Sequence, residues 1–328
     1  MPANGRLDAV TGAFSYSGAA IARELLAAGH QVRTLTGHPE RAPAGTGIDV
    51  RPLDFTDDAA LRHALEGVHT LYNTYWVRFA HGPVDHEAAV ANSRILFDAA
   101  ARAGVERIVH VSITHADLDS PYPYFRGKAE VERHLIRTGV PYAIVRPAVL
   151  FGGDGVLVNN IAWLLRHLPV FAIGGGGRYR VRAIHVDDLA RLCVGLSDRA
   201  DPVLVDAVGP EAPTFRQMVG AIRAAVGSHA IILPVPGTLI PALSWALGLA
   251  LRDVLLTRDE YDAMAAGLAD SDAPSTGTIA FTDWVAEHGA ELGHRYANEL
   301  DRHFRPTTAD ESPEAVGKDP TGGSAADR

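Results

Sequence analysis

Tyr124 and Lys128 stand four residues apart in PYFRGK, a spacing that on a helix projects both side chains from one face. An ammonium beside a phenol favours the phenolate and lowers its pKa from about 10, which makes tyrosine a usable general acid or base near neutrality. The same ammonium is suited to holding a ribose hydroxyl. The chain carries 30 Lys+Arg, yet its only lysines are Lys128 and Lys318. A lone lysine amid so many arginines asks for a task that a guanidinium cannot perform. Ser112 closes the apolar run ERIVHVS, where its hydroxyl is expected to hold a substrate carbonyl toward Tyr124. Thr114 competes for that role, and a turn or capping role is the plainer alternative.

A second constellation lies near the start. VTGAFSYSGAAIARELLAAGH sets Gly12, Ser15 and Gly18 in a Gly-x-x-Ser-x-x-Gly spacing between a strand-like and a helix-like segment. A dinucleotide site needs a tight turn there, close backbone approach to a pyrophosphate, and helix N-terminal amides facing the anion. Phe14 and Tyr16 fall in the same turn and join the candidate contacts. Specificity for the adenosine ribose is read where the second strand ends. A carboxylate there accepts from the 2′-hydroxyl and repels a 2′-phosphate. This chain has Thr36, Gly37 and His38, then Arg41, with no acid before Glu40. NADP(H) is therefore the expected cofactor and NAD(H) the alternative, with Thr36, His38 and Arg41 as phosphate contacts. Asp54, after the third strand, is placed to accept the adenine amino group, or to serve as a turn or cap residue. The loop after the fourth strand offers Asn73 as a cofactor contact with Thr74 beside it, then Trp76, Arg78 and Phe79, whose aromatics read equally as core or lid packing.

The elements that must position these residues alternate through the first half. LDAVTG, HQVRTLT, IDVRPLD, HTLYNT, ERIVHVS and PYAIVRP read as strands, with amphipathic helices at 16–28, 58–65, 86–103 and 128–138 between most of them. That order predicts a Rossmann-type, doubly wound parallel α/β sheet over residues 1–150. From 151 to 305 the rhythm is mixed and predicts a smaller α/β C-terminal substrate-binding part, interleaved with the first in space. Residues 306–328 lack apolar periodicity and are expected to form a disordered tail.

Net charge is −9, from 30 Lys+Arg against 39 Asp+Glu, which argues against nucleic acid as a partner. Cys193 is the single cysteine and sits in an apolar run, so a buried thiol and a reducing compartment are expected. The 15 histidines form no His-Glu-x-x-His motif, and no metal is expected. The start, MPANGRLDAVTG, lacks the regions of a secretory signal. A cytoplasmic location is the expectation, with peripheral membrane association the alternative. The motive for that alternative is the uncharged segment Ile231–Leu251, which Pro234, Pro236 and Pro241 interrupt. It is read first as an internal packing helix and second as an interfacial one.

Together TGAFSYSG, Asp54, VSITH, YFRGK, RPAVLFGG and RAIHVDDLA resemble the extended, atypical branch of the short-chain dehydrogenase/reductase superfamily, over about residues 6–305. Within it the chain is most similar to the NAD(P)H-binding group of NmrA-like proteins and the 39 kDa accessory subunit of respiratory complex I. The resemblance implies Tyr124 and Lys128 as the catalytic Tyr and Lys, and Gly12, Ser15 and Gly18 as the nucleotide loop. It also implies a substrate part formed partly by RPAVLFGG. Ser15 replaces the middle glycine, and Gly37 stands where NmrA-like relatives often carry a phosphate-binding Arg. The expected function is an NAD(P)-dependent oxidoreductase, or an epimerase or dehydratase, acting on a small carbonyl or sugar-like molecule. Because some relatives hold the nucleotide without turnover, the alternative is a non-catalytic NADP(H)-binding structural or redox-sensing subunit docked on a membrane-associated partner.

Overall fold

The computed structural model describes residues 5–79 and 84–300; the expected tail, 306–328, lies outside them. Its strands are β1 (Leu7–Thr11), β2 (Gln31–Thr36), β3 (Asp49–Pro52), β4 (Thr70–Asn73), β5 (Arg107–Val111), β6 (Tyr142–Pro147), β7 (Val149–Phe151), β8 (Val170–Gly174), β9 (Ala183–His185), β10 (Val203–Ala207) and β11 (Ile231–Val235). The helices are α1 (Tyr16–Ala27), α2 (Asp58–Leu65), α3 (His86–Ala103), α4 (Pro123–Thr138), α5 (Val156–His167), α6 (Val186–Gly195), α7 (Phe215–Ala225), α8 (Ile240–Leu251), α9 (Arg258–Ala265) and α10 (Phe281–His288).

Seven strands form one sheet in the order β10-β6-β5-β4-β1-β2-β3, every pair parallel. The chain reverses direction across the sheet between β1 and β4, the crevice where doubly wound sheets bind ligands beyond their strand ends. Alternation along each strand sends neighbours to opposite faces. Val10, Val109 and Val145 pack with Ile21 and Leu25 of α1 and Leu189 and Cys193 of α6. Ala9, Ile108 and Ile144 pack with Leu61 of α2, Phe97 of α3 and Val131 of α4. Strand β10 and helix α6 belong to the second half of the chain yet complete the first sheet and its core. A third core, around Phe151, Ile161, Met218 and Phe281, sits beside the sheet with two small parallel pairs, β7 with β9 and β8 with β11.

Local chemistry fixes the elements that carry the site. Pro123 opens α4 at its first turn and Gly139 ends it at φ 75°, so Tyr124 lies in the first turn and Lys128 one turn later. Asp85 caps α3 by accepting from the Ala88 amide at 2.8 Å. Glu132 of α4 accepts from Arg146 Nε of β6 at 2.9 Å, which pins the helix to the sheet. Among the described residues no helix is long and apolar enough to cross a membrane. Helix α8 is not the interior helix that its composition suggests. Only Ile240 and Gly248 are buried, whereas Leu243, Trp245 and Leu249 are exposed.

Candidate active site

One open cavity of about 1910 Å³ runs along the carboxyl edge of the sheet and into the second half of the chain. It exceeds the usual volume for a drug-sized ligand, roughly 300–1,000 Å³, and suits a dinucleotide together with a substrate. Of the candidate residues, Gly12, Phe14, Ser15, Tyr16, Thr36, His38, Arg41 and Tyr124 line it.

The turn after β1 is shaped for an anion. Gly12 has φ +66°, and a Cβ on Gly18 would lie 2.1 Å from the Gly12 carbonyl oxygen, so the turn and α1 meet at a distance only glycine permits. Ser15 Oγ donates to that carbonyl at 2.6 Å and does not cap α1, whose first turn holds no acid. The α1 N-terminal amides therefore carry no side-chain acceptor of their own, as an anion site requires. Gly18 acts from behind the turn, outside the cavity lining. Tyr16 Oη donates to Gly152 O at 2.8 Å and ties the turn to the opposite wall. Arg23 also faces the cavity and bonds Asp187. It was not among the sequence candidates, although Tyr16, Ala19, Ala20 and Arg23 repeat at helical spacing on one face.

At the end of β2, Thr36 Oγ1 accepts from the His38 amide at 3.1 Å. His38 contacts the exposed Glu40, which is outside the lining. Asp54 is directed elsewhere: it accepts from Thr56 N at 2.8 Å and Thr56 Oγ1 at 2.7 Å, and these bonds hold its carboxyl below the ordinary range. Both bonds fall on Oδ1 and make Asp54 a turn residue, outside the cavity lining.

Asn73 is buried beneath the site. Thr11 Oγ1 donates to its Oδ1 at 3.2 Å and accepts from the Thr74 amide at 2.7 Å, knitting β1 to β4 at the crossover. The Asn73 amide meets His110 Nδ1 at 3.1 Å. Ser112 and Thr114 also turn inward. Ladder bonds continue past β5, from Ser112 N to Val145 O and from Thr114 N to Pro147 O, so strand alternation aims Ile113 at the cavity and its neighbours away from it. Thr114 Oγ1 donates to Leu268 O at 3.0 Å, and Ser112 Oγ is buried without a partner among the described residues.

The Tyr124 and Lys128 pair differs most from expectation. Lys128 is buried outside the cavity lining, donates to Val111 O at 3.0 Å, and lies over the Trp76 ring, 4.4 Å from its centroid. Trp76 meets Tyr124 edge-on at 5.6 Å and stacks on His86 at 6.1 Å. The cation thus acts on an indole. Burial, followed by the charge of Glu260, raises the Tyr124 phenol above its ordinary value, with Arg78 opposing. His86, brought in from α3, also touches Tyr124 edge-on at 5.6 Å, and no motif marks it in the sequence. Arg78 closes the roof: Nε donates to Glu260 at 2.7 Å and Nη2 to Leu255 O at 3.1 Å, while Nη1 stands 3.5 Å from Glu299.

Burial pushes Lys128 down to about 7, opposed by Glu132. An unfolded lysine titrates near 10.4, so between about pH 7 and about pH 10 the unfolded chain binds the extra proton and stability rises with pH. In Lys128→Met this contribution is absent. Urea midpoints at about pH 7 and about pH 9.5 are expected to rise more in the parent protein than in the variant, and equal changes in both would contradict the burial-driven shift.

The NAD(P)H-binding family model matches residues 12–196, more than half of the chain, and the protein belongs to that family. Among curated relatives it is similar to quinone oxidoreductase 2 of Escherichia coli, 32% identical over 142 residues, 42% of this chain and 47% of that one. It is also similar to mitochondrial NADH dehydrogenase (ubiquinone) 1 alpha subcomplex subunit 9 of Rattus norvegicus, 24% identical over 213 residues, 64% of this chain and 56% of that one. Matches to the first curated relatives span about half to two thirds of their length. The crystal structure of Citrobacter sp. triphenylmethane reductase complexed with NADP(H) has a TM-score of 0.71 at 20% identity, over 87% of this chain and 99% of that one. That likeness shows the shared fold.

Proposed function

We propose that the protein is an NADP(H)-dependent reductase of a carbonyl compound, with Tyr124 as its proton donor. The observation that carries this reading is one cavity lined at one end by the Gly12 turn and the α1 N-terminus and elsewhere by Tyr124. The Gly12–Ser15 turn would hold the pyrophosphate and Thr36, His38 and Arg41 the 2′-phosphate end, in a stretch where no acid precedes Glu40. The bound nicotinamide would supply the hydride. Tyr124 Oη would give its proton to the carbonyl oxygen and recover one from solvent. The phenol is protonated at neutral pH, the form a donor requires, and its raised value makes it a weaker acid than an ordinary tyrosine. Lys128 and His86 serve as positioning residues that fix Trp76 against Tyr124. The similarity to quinone oxidoreductase 2 supports redox chemistry, as that relative's name is an oxidoreductase's.

Calorimetric titration with NADPH and NADH tests the cofactor assignment. Tighter binding of NADPH is expected, and binding of neither overturns the reading. A second reading, a nucleotide-holding structural subunit, is favoured by the exposed apolar residues of α8. Exchange separates the two, because a cosubstrate leaves every cycle and a structural nucleotide stays when the protein is passed through a desalting column.

A further inference from the structure

The part of the cavity beyond Tyr124 has a chemistry unlike the nucleotide end. Among the described residues the cavity is lined by three cations, Arg23, Arg41 and Arg78. Arg23 and Arg41 stand on the nucleotide side, and Arg78 is held by Glu260 and Glu299. From α5 onward the described lining contains no Arg or Lys, whereas Asp259, Glu260 and Glu299 all contribute to it. A sugar diphosphate would bring two or more negative charges to a wall whose one Arg among the described residues, Arg78, is already paired with Glu260 and Glu299, with Asp259 beside them, a repulsive arrangement in a partly desolvated site.

The same wall is dominated by apolar side chains from separate elements: Leu164 and Leu168 at α5, Phe171 of β8, Leu247 of α8, Leu255, and Met264 of α9. Leu243 of α8 also lines it and is 47% exposed, so apolar surface continues from the interior to the mouth. Removal of apolar area from water is therefore the main source of affinity this wall offers a ligand. Resting on the reductase reading above, the geometry points to a neutral, elongated, apolar carbonyl compound as substrate. Its carbonyl is received at Tyr124 and its hydrocarbon portion lies along α5 and α8 toward the mouth. Sugar-nucleotide substrates are the class this wall rejects.

Methyl ketones from 2-butanone to 2-decanone, titrated calorimetrically into the full chain with and without saturating NADPH, test this, with UDP-glucose as the anionic comparison. Affinity is expected to rise about fourfold per added methylene, the factor for burying one CH₂, and UDP-glucose to bind more weakly than 2-decanone. Leu247→Asp, at a half-buried position, is expected to flatten the series while NADPH affinity stays within about twofold, because Leu247 lies away from the nucleotide turn. Leu243→Asp, at the exposed mouth, gives the same reading should the first variant fold poorly. Affinity independent of chain length, or UDP-glucose as the tighter ligand, overturns the inference. A chain-length series without any NADPH binding supports the apolar site and overturns the reductase reading. NADPH binding without the series overturns the apolar site alone.

Discussion

Tyr124→Phe is expected to lower kcat for NADPH-dependent reduction of 2-decanone by about 10²–10⁴-fold, the usual contribution of one positioned proton donor, with NADPH affinity unchanged. The ring remains available to Trp76, His86 and Phe125, its edge-on and tilted neighbours, so packing is preserved and only the hydroxyl is lost. Burial and Glu260 raise the phenol above its ordinary value. The sign for the pH profile follows: the proton is retained through the alkaline range in which a free phenol, near 10, would release it. Above the titration of Lys128 at about 7, the parent kcat should accordingly show no further loss on the way to about pH 10. A Tyr124→Phe variant with parental kcat would remove Tyr124 from the chemistry. A parental profile that falls between about pH 8 and about pH 10, above the titration of Lys128, would show that the phenolate forms after all.

Gly18→Ala is expected to weaken NADPH binding by about 5- to 150-fold, the equivalent of roughly 1–3 kcal/mol for forcing a methyl into filled space. The added Cβ would stand 2.1 Å from Gly12 O and 2.7 Å from Gly12 C, both rigid backbone, so the turn itself must move and its amides leave the anion. Gly220→Ala provides the contrast, since nothing lies within 4 Å of its added Cβ, its φ is not positive and it stands outside this cavity's lining. It should bind NADPH within about twofold of the parent, a change of less than about 0.5 kcal/mol. Calorimetric NADPH titration reads both variants, and urea unfolding separates loss of the site from loss of the fold. Equal affinities for the parent and Gly18→Ala would mean that the turn does not hold the pyrophosphate.

The sequence by itself determined the parallel sheet, the glycine turn and a helix over 128–138, which the structure extends back to Pro123 so that it carries Tyr124. Those features depend on contacts between near neighbours: alternating apolar runs, and glycines spaced for one turn. It also singled out Gly12, Phe14, Ser15 and Tyr16, which lie together around one turn and line the cavity.

Only the tertiary structure decided what surrounds each group. Four residues of helical spacing place Tyr124 and Lys128 on one face, but the loop after β4 lays Trp76 against both, and that loop is distant in sequence. Strand alternation beyond β5, fixed by ladder bonds to β6, turned Ser112 inward and Ile113 outward. Asn73 belongs to the layer beneath the cavity because Thr11 and His110 arrive from neighbouring strands. The apolar substrate wall is assembled from α5, β8, α8 and α9, none of which carries a motif of its own. Burial and charge at a point in space sum over everything packed around it, and the order of residues along a chain does not contain that sum.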